Sequence, residues 1–115
     1  MQTHARKLLV IICEAALERD LIRDARRFGA AGYTITDVRG GGPGGEREAE
    51  WEADRSIEVK VICDAAIADS LAEHVLAAYA PHYAVTLFTA DVGVFRPESV
   101  RGRSRRGRSP SCINT

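Results

Sequence analysis

The eight residues Ser56 to Cys63, SIEVKVIC, decide how the rest of the chain is read. Ile57, Val59, Val61 and Cys63 share one parity, with Glu58 and Lys60 on the other. Side chains of an extended chain alternate between two faces, so this is a strand with one core face and one more polar face. Directly after it, Asp64 stands where it can cap a helix running from Ala65 to about Ala80. The inner stripe of that helix would be Ile67, Leu71, Val75 and Ala78, and Pro81, which has no N–H to give, blocks its continuation. YAVTLFTADVGVF, from Tyr83 to Phe95, then reads as a last strand.

Upstream, the same pattern occurs once more. KLLVIIC, Lys7 to Cys13, is short, β-branched and apolar on both parities, as expected of a central strand. From Ala15 to Ala31 the period changes. Leu17, Leu21, Ile22, Ala25 and Phe28 recur at three- and four-residue spacing, while Arg19, Asp20, Arg23, Arg26 and Arg27 fill the other face, which is an amphipathic helix. Gly29 and Gly32 bracket its end, and YTITDV, Tyr33 to Val38, is a second strand.

The order βαββαβ predicts an α+β domain of the ferredoxin-like class, with an antiparallel sheet in the order 4-1-3-2 and both helices on one face. Valine, leucine and phenylalanine in strands one and four leave the other face largely apolar, so an oligomer is expected. Cys13 and Cys63 end neighbouring antiparallel strands and therefore lie at opposite ends of the sheet, too far apart for a bridge.

At 115 residues one core is expected, and a hydrophobic fraction of 45% is enough to bury it without disulfides. The formal charge of zero hides an asymmetry: residues 96–115 hold six arginines against Glu98, a local +5, which leaves −5 for residues 1–95. The longest apolar run, Leu8 to Cys13, is far too short to span a membrane, and MQTHARKLLVIIC lacks the pattern of a signal peptide. A cytoplasmic protein that does not span the membrane is expected. Three cysteines without C-x-x-C spacing fit neither a disulfide framework nor a structural zinc site. His4, His74 and His82 have no spacing suited to a metal, and His74 on the outer side of the second helix is expected to be solvated.

Between the second and third strands lie 17 residues, RGGGPGGEREAEWEADR, Arg39 to Arg55. Five glycines there expose backbone amides that can surround phosphate or carboxylate oxygens, and Arg39 and Arg47 can add charge-assisted hydrogen bonds. No Walker lysine follows and no helix starts there, so a plain flexible hairpin is the competing reading.

GYTITDVRGGG before the long loop, SIEVKVIC, a helix and ADVGVFRPESV together resemble the PII signal-transduction superfamily, in particular its PII-like branch associated with carboxysomes and bicarbonate transporters. The similarity runs from about Lys7 to Val100. It implies a homotrimer of ferredoxin-like domains, residues 1–100, with adenine nucleotide bound in clefts between subunits. Each cleft is roofed by a T-loop at about residues 39–55, which reorders on binding. Thr34 and Thr36, followed by Gly40, Gly41 and Gly42, match cleft-lining positions. Arg47 matches the arginine that reaches phosphate or bicarbonate, the latter with Gly42, Gly44 and Gly45. Phe88, Thr89, Ala90 and Asp91, then Arg96, match contacts to base, ribose or phosphates across the interface.

The departures from the family pattern are specific. AAYAPHYAVTLF carries no T-G-x-x-G-D-G-K segment and so no phosphate-binding lysine before the last strand, which favours ADP or AMP over ATP. The loop's only aromatic is Trp51, so it has no tyrosine to modify, and the tail offers one cysteine, Cys112, rather than a redox pair.

The resemblance thus implies a non-enzymatic sensor whose loop signals to a protein partner, such as a bicarbonate transporter or a carboxysome-related protein. The alternative is a trimeric scaffold tethered to a polyanion by residues 101–115, an arginine-rich segment of disordered composition. With no aromatic between Arg96 and Thr115, sequence-specific nucleic-acid binding is not expected. Thr34 and Thr36 read equally well as solvent-facing strand residues.

Overall fold

The computed structural model describes residues 1–39 and 55–96. The elements follow in the order β1 (His4–Glu14), a 3-10 turn (Ala15–Leu17), α1 (Glu18–Arg27), β2 (Thr34–Val38), β3 (Ser56–Cys63), α2 (Ala65–Ala78) and β4 (Val85–Val94). The four strands form one sheet in the order β2-β3-β1-β4, and every neighbouring pair is antiparallel. This is the expected ferredoxin-like α+β topology. β1 is longer than its apolar run, because its ladder with β4 continues from Cys13↔Val85 to His4↔Val94.

The parity of SIEVKVIC is realised in β3, where Ile57, Val59, Val61 and Cys63 are buried and the residues between them are half-buried. Leu9, Ile11 and Cys13 of β1 face the same way and pack with Leu17, Leu21, Ala25, Ala68, Leu71 and Val75 from the helical layer. Each fully buried leucine, isoleucine or valine contributes about 1.5–3 kcal/mol relative to exposure.

α1 stops at Arg27 rather than Ala31. Its end is a Schellman cap: Ala30 N–H donates to Ala25 O at 2.9 Å and Gly29 N–H to Arg26 O at 3.1 Å. Gly29 sits at φ 94°, a conformation that costs little only without a Cβ.

Three expectations for α2 are corrected. Its buried stripe is Ala68, Leu71 and Val75, continued by Tyr79 just past its end, so Leu71 and Val75 stand as expected while Ile67 is half-buried and Ala78 exposed. Asp64 occupies the cap position, but its side chain caps no amide. Its backbone carbonyl accepts from Ala68 N–H at 3.0 Å, and its carboxylate lies 3.7 Å from Arg6 Nε. His74 is not a solvated outer residue: its ring lies 5.2 Å from Phe28 and 5.8 Å from Tyr79, centroid to centroid, and its side chain is 26% exposed.

Cys13 pairs with Ile57 and Cys63 with Lys7, six rows apart in the β1–β3 ladder. At about 3.4 Å per residue the two thiols are on the order of 20 Å apart. Both are free and buried, and burial, reinforced by the neighbouring Glu14 or Asp64 carboxylate, pushes each thiol up to about 11.

Candidate ligand face

Antiparallel partners share a face, so the register identifies what the helix-free side of the sheet presents. One row across it reads Thr34, Lys60, Val10, Phe88, and the next reads Thr36, Glu58, Ile12, Thr86. Ile62, Leu8 and Ala90 form a third row on the other side of the first. Its apolar stretch is Leu8, Val10 and Ile12 of β1 with Ile62, Phe88 and Ala90, its polar part is Thr34 and Thr36 of β2 with Glu58 and Lys60 of β3, and Phe88 stands 51% exposed at its edge.

Four of the sequence-predicted residues thus share one face: Thr34 and Thr36 on β2, Phe88 and Ala90 on β4. They do not share one place. β2 and β4 are the two edges of the sheet, and three strand spacings of about 4.8 Å put them roughly 14 Å apart. Thr89 and Asp91, at alternate positions of β4, point to the opposite face. Arg96 follows the end of β4 and is exposed. Gly40, Gly41, Gly42, Gly44, Gly45 and Arg47 lie outside the described residues, as do Trp51 and residues 97–115.

Asp91 is already engaged, since Lys7 Nζ donates to its Oδ1 at 2.6 Å. That hydrogen bond, with the charge attraction of the same carboxylate, raises the Lys7 pKa above its ordinary value. Any ligand group reaching Asp91 meets an ammonium beside it. The sequence reading missed Lys7, Glu58 and Lys60. For the last two the signal was present, because the alternation in SIEVKVIC separates them from the core.

The only buried charged residue among the described residues is elsewhere, on the helical side. Asp24, fully buried on α1, accepts a short hydrogen bond from the Tyr79 hydroxyl. His74 Nε2 lies 3.1 Å from the same oxygen, Oδ2. An ionised carboxylate can only accept, so this nitrogen must carry a proton to bond. Arg23 Nη2 donates to Oδ1 at 3.3 Å, and Arg27 Nη2 is 3.6 Å away. Burial, then the bond to Asp24, pushes the Tyr79 hydroxyl up to about 12. A groove of about 440 Å³ lined by Phe28, Ser70, Glu73, His74 and Ala77 borders this cluster. The cluster ties α1 to α2 and lies across the sheet from the threonines. No group of three or more His, Cys, Asp or Glu residues suited to a metal ion occurs among the described residues.

The sequence profile of the nitrogen regulatory protein P-II matches residues 6–99. The chain belongs to the P-II family. Among solved structures, a PII-like signalling protein of Thermus thermophilus is 36% identical with a TM-score of 0.73, covering 86% of this chain and 98% of its own. CPII of Thiomonas intermedia, a nitrogen regulatory PII-like protein, was solved bound to ADP and bicarbonate; it is 26% identical, TM-score 0.71, covering 84% of this chain and 94% of its own. A second CPII structure, bound to ADP, AMP and bicarbonate, gives 27% identity and a TM-score of 0.71, covering 84% and 93% of the respective chains. Comparison with curated protein sequences gives no match. Among the described residues of this P-II protein, no helix is long and apolar enough to cross a membrane.

Proposed function

We propose that this P-II protein is a non-enzymatic regulatory sensor that assembles as a homotrimer and binds adenine nucleotide in the clefts between subunits. The observation that carries this reading is the split site. Thr34 and Thr36 share a face with Phe88 and Ala90 but stand at the opposite sheet edge, so a single base or phosphate group touches both sets where the β2 edge of one subunit meets the β4 edge of another. The apolar stretch of the same face, with Leu8, Ile12, Ile62 and Phe88, gives such an assembly surface to bury.

ADP or AMP is favoured over ATP, because the chain has no lysine-bearing glycine segment before β4 to hold a third phosphate. Bicarbonate is the co-ligand, as the CPII complexes with ADP and bicarbonate suggest, and the family resemblance gives Gly42, Gly44, Gly45 and Arg47 as the residues that hold it. Ordering Arg39 to Arg55 costs about 1–2 kcal/mol per fixed residue in backbone entropy, so the loop takes its signalling shape only when ligand contacts offset that cost. Its output is a cytoplasmic protein partner in inorganic-carbon metabolism, a bicarbonate transporter or a carboxysome-related protein.

Isothermal titration with ADP, AMP and ATP, each with and without bicarbonate, tests this. One nucleotide per subunit, tightened by bicarbonate, is the expected result. No heat from any nucleotide at millimolar concentration, with folding verified, would overturn it and shift attention to the arginines of residues 101–115.

A further inference from the structure

The polar half of the open face contains two charges whose placement is hard to explain as structural. Glu58 and Lys60 lie mid-strand on β3, directly opposite Thr36 and Thr34. Lys60 Nζ is 3.6 Å from Glu58 Oε1, too long for a good hydrogen bond, and this is the only polar contact either side chain makes among the described residues. Across the ladder their other neighbours are Ile12 and Val10, and Val10 is only 3% exposed. The remaining charges on this face are better provided for. Arg6 Nη1 donates to Ala5 O at 2.7 Å, and Glu14 accepts from Ala84 N–H at 3.0 Å.

A subunit interface covering this face would strip water from the pair. The two side chains, 42% and 22% exposed in the single subunit, would then be two buried charges 3.6 Å apart with no further hydrogen bonds, which repay that desolvation poorly. A ligand that brings an anionic group and a hydrogen-bond donor together would satisfy both. An adenine nucleotide is such a ligand: phosphate oxygens only accept, and the ribose hydroxyls and the exocyclic amine donate.

We infer that Lys60 binds a phosphate of the nucleotide and that Glu58 beside it sets the preference for the less charged nucleotides. This rests on the nucleotide-sensor reading above. Lys60 supplies the charge that the missing segment before β4 would have supplied, and it does so from the sheet face. Glu58 cancels that charge at longer range, so each additional phosphate placed on this face gains little and meets a carboxylate. Thr34 and Thr36 flank the pair on the same side and complete a polar strip two strands wide.

The experiment is titration of the full chain and of the Lys60→Met, Lys60→Arg and Glu58→Gln variants with AMP, ADP and ATP. Thermal melts and sizing verify that each variant folds and assembles. Lys60→Met should weaken ADP and AMP on the order of tenfold or more, and Lys60→Arg should restore most of that loss. Glu58→Gln, which keeps the shape of the side chain, should raise ATP affinity relative to AMP by roughly tenfold. Wild type that binds no nucleotide would overturn the sensor reading itself. Wild type that binds, with Lys60→Met affinities and the Glu58→Gln ATP:AMP ratio both unchanged, would overturn this assignment alone. Should Lys60→Met fail to assemble, the ratio in Glu58→Gln decides the matter.

Discussion

Replacing Asp24 with alanine probes the least expected feature of the helical layer, and its effect can be worked from the contacts. Tyr79 is 8% exposed, so its hydroxyl loses its acceptor without gaining water, at a cost of about 1–3 kcal/mol. The His74 side chain is 26% exposed, and water replaces part of what it loses. Arg23 and Arg27 have side chains 57% and 55% exposed and return to solvent at little cost. Removal of the carboxylate also relieves its own desolvation, which offsets some of the loss. The net expectation is a destabilisation of about 2 kcal/mol, or roughly 10 °C in midpoint for a domain of this size. Urea unfolding followed by far-ultraviolet circular dichroism measures it, at one fixed subunit concentration because assembly adds to apparent stability. A cycle with Tyr79→Phe sharpens the test. The double variant should be more stable than the sum of the single losses by about 1–2 kcal/mol, since removing the hydroxyl removes the orphaned donor. An Asp24→Ala variant within about 0.5 kcal/mol of wild type or more stable, or strict additivity in the cycle, would refute the reasoning.

Alkali should destabilise the fold from about pH 9 upward. Cys13 and Cys63 have folded pKa values raised from 9.0 to about 11 and Tyr79 from 10.0 to about 12. The stability they contribute is therefore complete below the unfolded values and is lost as pH rises through the folded ones. Chemical denaturation at about pH 8, 9, 10 and 11 should show this, and a Cys13→Ala/Cys63→Ala variant should delay the onset of the decline to about pH 10. Phe88→Asp should shift the assembly toward monomer by light scattering, because a charge at the apolar edge of the open face would be desolvated on association. An unchanged oligomer would show that the interface lies elsewhere.

The fold was legible because its signals are local and redundant. The alternation in SIEVKVIC, the helical period from Leu17 to Phe28 and the stop at Pro81 each state a secondary structure, and the order of elements then leaves one right-handed arrangement of the sheet. Helix boundaries were less legible. Gly29 ended α1 earlier than the apolar pattern did, because backbone hydrogen bonds of the cap outweighed the continuing periodicity. The site was legible only in part. Thr34 and Phe88 were named, yet that they share a face and stand at opposite edges is a property of register, which joins residues far apart in sequence.

The sequence by itself determined which residues alternate in the strands and which recur along α1, since these depend on neighbours within a few positions. Only the tertiary structure decided that His74 belongs to Asp24 and not to solvent, that Lys7 holds Asp91, and that Glu58 and Lys60 stand beside the two threonines. The physical reason is the same in each case. A polar side chain goes where its hydrogen-bond partner is, and that partner was brought close by strand pairing or helix packing between distant segments, which no local pattern records.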